Sequence, residues 1–250
     1  MAETILVTGA SAGFGQAICR RLVADGHRVI GAARRIEKLQ ALHKELGEAF
    51  YPLQMDVTDL TQVDQALASL PKAWEQIDVL VNNAGLALGL APAQKAEIAD
   101  WLTMIQTNII GLTYLTRQIL PQMVERNDGY VINMGSTAGT VPYPGANVYG
   151  ASKAFVKQFS LNLRADLAGK QIRVTNIEPG LCEGTEFSSV RFKGDEKRVE
   201  ALYRDAHAIQ PEDIANTVSW LIQQPKHVNV NRIEIMPVSQ TFGPQPVYRD

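Results

Sequence analysis

Four stretches of the chain carry residue types whose spacing permits chemistry. In "GANVYGASKAF", residues 145–155, Tyr149 stands four positions before Lys153 where a helix begins. The pair is either an acid with the cation that tunes it or two solvated side chains, since such pairs occur on many helices without chemistry. In "TGASAGFG", residues 8–15, Gly9, Gly13 and Gly15 let backbone N–H groups approach a phosphate at the start of a helix. "GAARR" ends on Arg34 and Arg35, whose guanidinium forks suit a phosphate monoester, or which are solvated arginines opening the next helix. In "FSSVRFKGD", Arg191 could clamp a carboxylate in two-point geometry, with Lys193 a less directional candidate; the alternative is a pair of surface charges.

These groups need elements to position them. Short β-branched runs alternate with segments of helical period, the pattern of repeated βαβ units around a parallel sheet. Seven strands are predicted, beginning near Thr4, His27, Phe50, Ile77, Tyr130, Ile172 and Arg232. The glycine loop follows the first and the arginine pair the second. In "GQAICRRLVADG", Ala17, Ile18 and Leu22 form a helical stripe that Gly26 ends. A long helix is expected from about Ile98 to Arg126, with Leu102, Ile105, Ile109, Leu112, Leu115 and Ile119 on its apolar face and Pro121 bending or ending it. On the helix after the fifth strand, Ala151, Phe155, Phe159 and Leu163 form the apolar stripe, and Tyr149 and Lys153 centre roughly 120° away from it. Residues 181–209 break the alternation and form a candidate substrate cover at the carboxyl side of the sheet.

Bulk properties exclude more than they assert. The 250 residues are 46% hydrophobic and 20% charged, as in an ordinary globular protein, and one domain spanning 1–250 is preferred because no linker or repeat interrupts the chain. A net charge of −2 offers no basic field for nucleic acid or an anionic membrane. No apolar run nears the roughly 20 residues of a membrane-spanning helix, and the N-terminus lacks an export signal. Two cysteines, Cys19 and Cys182, make neither a disulfide framework nor a metal site. The expectation is a cytoplasmic protein without a metal.

The loop TGxxxGxG at Thr8–Gly15 together with "NNAG" at 82–85 resembles the short-chain dehydrogenase/reductase family, and the resemblance covers nearly the whole chain. It implies a single doubly wound Rossmann-type α/β domain, a nicotinamide dinucleotide cofactor and, in many members, a homotetramer. Tyr149 and Lys153 match the family's YxxxK pair, Ser136 lies 13 residues before the tyrosine, and Asn108 matches the asparagine completing its tetrad. By this resemblance Tyr149 exchanges the proton and Ser136 hydrogen-bonds the substrate oxygen. Lys153 lowers the tyrosine pKa and holds the nicotinamide ribose, while Asn108 positions a relay water. The cofactor would lie along Gly9, Ser11, Ala12, Gly13, Phe14 and Gly15, then Asp56, Val57, Asn83, Ala84 and Gly85, with Pro179, Gly180 and Thr185 on the nicotinamide side. Asp56 could instead merely cap a turn.

Where a site preferring NAD would hold a carboxylate, Arg34 and Arg35 stand instead, so NADP(H) is the expected cofactor. "NNAGLALG", "GSTAG" and "QFSLNLRADL" are similar to the NADP-dependent 3-hydroxy acid dehydrogenases of this family, which act on serine and allo-threonine. A small anionic substrate held by Ser136, Tyr149 and Arg191 follows from that likeness, and 3-hydroxypropionate belongs to the same class. A sulfoacetaldehyde reductase making isethionate, or a non-catalytic NADP-binding sensor, are the alternatives. Cys182-Glu183 after "PGL" departs from the pattern close to the presumed pocket.

Overall fold

The sheet has the strand order β3-β2-β1-β4-β5-β6-β7, every neighbouring pair parallel. The strands are β1 (Thr4–Thr8), β2 (Arg28–Ala33), β3 (Phe50–Gln54), β4 (Val79–Asn82), β5 (Gly129–Met134), β6 (Ile172–Pro179) and β7 (Arg232–Ile235). They fall where the β-branched runs predict them. The computed structural model describes residues 2–243; of the Pro-rich end "TFGPQPVYRD", which by sequence either lies across a neighbouring subunit or frays, residues 244–250 lie outside them.

Order reverses between β1 and β4, which opens a crevice at the carboxyl ends of these strands. Helices cover both faces, and the sheet buries a separate apolar layer on each. One layer packs α1 (Gly13–Ala24), α2 (Ile36–Leu46) and α9 (Pro211–Gln223) through Ile18, Leu22, Leu39, Ile214 and Val218. The other packs α3 (Leu60–Ala68), α5 (Leu112–Arg126) and α6 (Asn147–Asp166) through Val63, Leu115, Ile119 and Leu163. Strands buried on both faces read as continuous Val/Ile/Leu runs, as "ILV" in β1 and "VLV" in β4 do. Each such side chain stabilises the fold by about 1.5–3 kcal/mol through burial.

The long helix differs from its expected form. It runs as α4 (Ile98–Ile105), a π turn at Gln106–Gly111, then α5. The wider π turn rotates the buried face, so Met104, Thr107 and Asn108 point inward while Leu102 is 58% exposed. Pro121 sits inside α5 without ending it. It lies on the exposed side with Arg117, whose carbonyl it deprives of a donor, so water can take the bond. The helix ends at Asn127, which adopts φ 52°.

On α6 the buried face is also other than expected. Tyr149, Ser152, Lys153, Val156 and Ser160 face the interior, whereas Ala151 and Phe155 are exposed and Phe155 stacks on Phe159. Tyr149 and Lys153 occupy the core side of the helix because β5 and the turn after it stand there. The segment 181–209 forms two short helices, α7 (Phe187–Arg191) and α8 (Glu196–Tyr203). Its base is closed by a parallel bridge between Cys182 and Ile209. Among the described residues no helix is long and apolar enough to cross a membrane.

Candidate active site

A cavity of about 620 Å³ lies over the crevice. It gathers every cofactor and substrate position expected from the sequence except Gly15, Asp56 and Asn108, which stand behind its wall. Gly9 and Gly13 take φ of +69° and +52°, a region closed to most side chains. A Cβ at Gly15 would lie 2.3 Å from the Gly9 carbonyl oxygen, so this glycine lets the loop turn tightly onto α1. The loop leaves a backbone cradle beside a helix N-terminus, which fits the pyrophosphate of a dinucleotide.

The cradle is held from the neighbouring strand. Thr8 Oγ1 accepts from the N–H groups of Asn83 (3.0 Å) and Ala84 (2.9 Å), and Asn83 Nδ2 donates to the Thr8 carbonyl at 2.8 Å. Sequence reasoning passed over Thr8, although its place at the end of β1 was the available signal. Asp56 caps the turn after β3: its carboxylate accepts from Thr58 N–H at 2.9 Å and Thr58 Oγ1 at 2.8 Å. Its neighbours Met55 and Val57 line the cavity instead.

At the far end, Arg35 donates through Nε and Nη2 to Ser11 Oγ at 3.2 and 3.0 Å, which brings the arginine end of β2 onto the glycine loop. Arg34 lines the same end and is exposed. Arg35 meets an unforeseen partner there, Glu186 of the covering segment, which also binds Lys38.

Asn108 sits in the π turn and is almost fully buried. Its Nδ2 donates to the Leu86 carbonyl (2.9 Å) and Ser152 Oγ (3.0 Å), and its Oδ1 accepts from Leu86 N–H at 3.0 Å. Both amide protons are therefore spent on protein. The visible task of this side chain is to fix the loop after β4 against α6.

Lys153 Nζ donates to the Met134 carbonyl at 2.8 Å and lies 5.9 Å from the centre of the Tyr149 ring. Burial pushes the lysine down to about 8. Burial likewise pushes the Tyr149 hydroxyl up to about 12, against the lowering expected from Lys153. Desolvation outweighs the nearby groups that favour the phenolate, chiefly the Ser136 hydroxyl and then the Arg191 guanidinium. Ser136 Oγ in turn accepts from Ala138 N–H at 3.1 Å, at the end of β5.

The two covering-segment cations part company. Arg191 faces the cavity with its guanidinium carbon 5.4 Å from the Tyr149 ring centre, donating to Tyr143 Oη at 2.9 Å and the Gly89 carbonyl at 3.4 Å. Lys193 turns away to Asp100 of α4 at 2.8 Å and does not line the cavity. Cys182 lines it, with its thiol pushed up to about 12 by burial. Tyr143 and Phe187, whose ring centre is 5.7 Å from that of Tyr149, complete the wall and were not singled out by sequence.

The family model for short chain dehydrogenases matches residues 3–196, and the chain belongs to that family. It is 59% identical to the NADP-dependent 3-hydroxy acid dehydrogenase YdfG of Salmonella typhi, over 98% of this chain and 99% of that one. It is 52% identical to the serine 3-dehydrogenase of Agrobacterium fabrum over the full length of both. Among solved structures, the closed form of a serine dehydrogenase complexed with NADP+ superposes with a TM-score of 0.97, at 56% identity, covering 99% of this chain and all of that one.

Proposed function

We propose that the chain is an NADP-dependent dehydrogenase of small 3-hydroxy acids, with serine, allo-threonine and 3-hydroxypropionate as its substrate class. Arg191 carries the assignment of an acidic substrate: it faces the tyrosine and has no carboxylate partner among the described residues. The names of the full-length relatives support the same class.

When bound, NADP supplies or accepts the hydride at its nicotinamide ring. The glycine cradle fits its pyrophosphate, Arg34 and Arg35 its 2′-phosphate, and Lys153, Pro179, Gly180 and Thr185 its nicotinamide end. The chain must handle the proton. In oxidation Tyr149 Oη takes the proton of the substrate hydroxyl; in reduction it returns one to the forming alkoxide. Ser136 donates a hydrogen bond to that same oxygen, where negative charge grows. Arg191 pairs with the carboxylate, which is separated from the carbinol carbon by one carbon, and this fixes which carbon faces the nicotinamide. Its charge also offsets part of the burial that opposes phenolate formation.

Arg191→Ala is expected to raise KM for L-serine by about 100-fold while leaving turnover of an uncharged aldehyde within about twofold, as loss of a charge-assisted clamp requires. Unchanged kinetics on 3-hydroxy acids would remove Arg191 from the site. Preferential turnover of isethionate would reassign the anion to a sulfonate. We further propose a homotetramer in the reducing cytoplasm, where Cys19 and Cys182 remain thiols. Ile98, Leu102, Phe155 and Leu161, exposed on α4 and α6, suit helix-to-helix contact between copies. Mass measurement in solution tests the assembly.

A further inference from the structure

One short run of the covering segment touches three parts of the site. Thr185 packs on the phosphate cradle: a Cβ on Gly13 would lie 3.1 Å from its side chain. Phe187 leans on the ring of Tyr149. Between them, Glu186 accepts from Arg35 Nη1 at 3.1 Å and Nη2 at 2.8 Å, and from Lys38 Nζ at 2.8 Å.

We propose that Glu186 is a displaceable internal anion at the 2′-phosphate end of the cofactor site, competing with that phosphate for Arg35 and Lys38 and linking its arrival to the position of residues 185–187. The proposal rests on the reading of Arg35 as a ligand of the 2′-phosphate, and adds Lys38 to that set.

The donor count makes the competition necessary. A guanidinium has five N–H groups in a fixed fork. On Arg35, Nε and Nη2 serve Ser11 while Nη1 and Nη2 serve Glu186, so one N–H on Nη1 is left. With the Nε/Nη2 edge turned to Ser11 Oγ, the edge turned outward for two parallel hydrogen bonds to a phosphate is the one Glu186 occupies.

It has the means to do so. A phosphate monoester carries close to two negative charges and three acceptor oxygens, against one charge and two oxygens for the carboxylate. Glu186 is about half exposed, with 48% of its side chain in solvent, so its pairing is screened and exchangeable. Its donors still hold it firmly ionised, at about 2, so it competes as an anion throughout the neutral range. A cofactor with a 2′-hydroxyl in place of the phosphate has no comparable claim on the fork and leaves Glu186 where it is. Discrimination between the two dinucleotides is then the difference between two anions for one site.

Glu186→Gln keeps the shape and removes the charge. Fluorescence titration should show Kd for NADPH falling by about three- to tenfold in the variant, with Kd for NADH changed less than about twofold. Amide hydrogen exchange reports the linkage without catalysis. In the parent, adenosine 2′,5′-bisphosphate should raise exchange across 185–191 while adenosine 5′-monophosphate does not. In Glu186→Gln exchange should start high and not respond. Equal or weaker NADPH binding by the variant, or the same exchange with both fragments, overturns the proposal. Arg35→Ala separates the two levels. If it leaves the NADPH-to-NADH preference intact, the arginine reading falls and takes Glu186 with it. If it abolishes the preference while Glu186→Gln changes nothing, only the Glu186 proposal falls.

Discussion

At the floor of the cavity, Lys153 and Tyr149, with Asn108 behind them, are buried and held by short-range packing and hydrogen bonds. Across the cavity, in residues 181–209, Glu186 and Lys193 meet their partners in solvent. The floor hangs on strand ends, α6 and the π turn that carries Asn108, so a wrong side chain there leaves a buried polar group without a partner. The cover hangs on two short helices and ion pairs that salt and ligands can compete for. Chemistry that must be the same in every turnover belongs on the first. Recognition, which must make and release contacts, belongs on the second.

The sharpest way to break this division is at the floor. Tyr149→Phe removes one oxygen and keeps the ring against Phe187. Turnover should fall by about 1,000-fold, as for loss of a general acid–base group, and NADPH affinity should stay within about twofold. Because burial sets the Tyr149 hydroxyl at about 12, oxidation by the parent should accelerate as pH rises, and the residual rate of the variant should not follow. Near-normal turnover would move the proton chemistry elsewhere.

What could be read from sequence divides along the same line. Seven strands and the glycine loop were legible because β-branched runs and glycines at a strand-to-helix turn state local backbone requirements. Tyr149, Lys153, Ser136 and Asn108 were picked out through the family resemblance, since spacing alone left the tyrosine and lysine indistinguishable from a solvated pair. The inward face of α6 was not, since Ala151 and Phe155 of its apolar stripe turn outward and a lysine goes into the core. Nor was the rotation at Gln106–Gly111, because a π turn shifts the helical period that the reading assumes. Glu186 and Lys193 were beyond reach for another reason. Their partners, Arg35 and Asp100, lie 151 and 93 residues away, and charge alone does not say which opposite charge it will meet.

A smaller effect sharpens the cost of placing Lys153 on the floor. Its pKa falls from 10.5 to about 8 on burial, so below about 8 both folded and unfolded chains carry the proton and the full penalty of burying charge is present. As pH rises from about 8 to 10.5 the unfolded chain still binds the proton that the folded chain has released, and stability increases. Lys153→Met should therefore melt higher than the parent at about pH 7, by about 2 kcal/mol after the lost bond to Met134 is counted. That corresponds to roughly 4–8 °C for a chain of this size. The difference should close near about pH 9.5 and reverse by about 10.5, where only the lost bond to Met134 is left, while activity is lost at every pH. A variant that melts lower than the parent at neutral pH would mean that the lysine supports the floor instead of straining it.

The smallest effect belongs to Lys193, two residues from Arg191 and the less directional candidate from sequence. Its side chain is 57% exposed and paired with Asp100 on the far side of the cover, so substrate and cofactor never meet it. An exposed pair of this kind gains little, because water and salt screen it and ordering the long side chain costs entropy. Lys193→Gln should leave kcat/KM for L-serine within about a factor of two, whereas Arg191→Ala changes it by about 100-fold. The contrast tests whether the cover discriminates by direction as well as by charge. If Lys193→Gln weakened 3-hydroxy acids by more than about fivefold and spared uncharged aldehydes, the ammonium would have to swing from Asp100 into the cavity during turnover. Asp100→Asn, which frees the lysine from its partner, would then strengthen binding of the acid; with Lys193 fixed outside the site, it should leave KM unchanged.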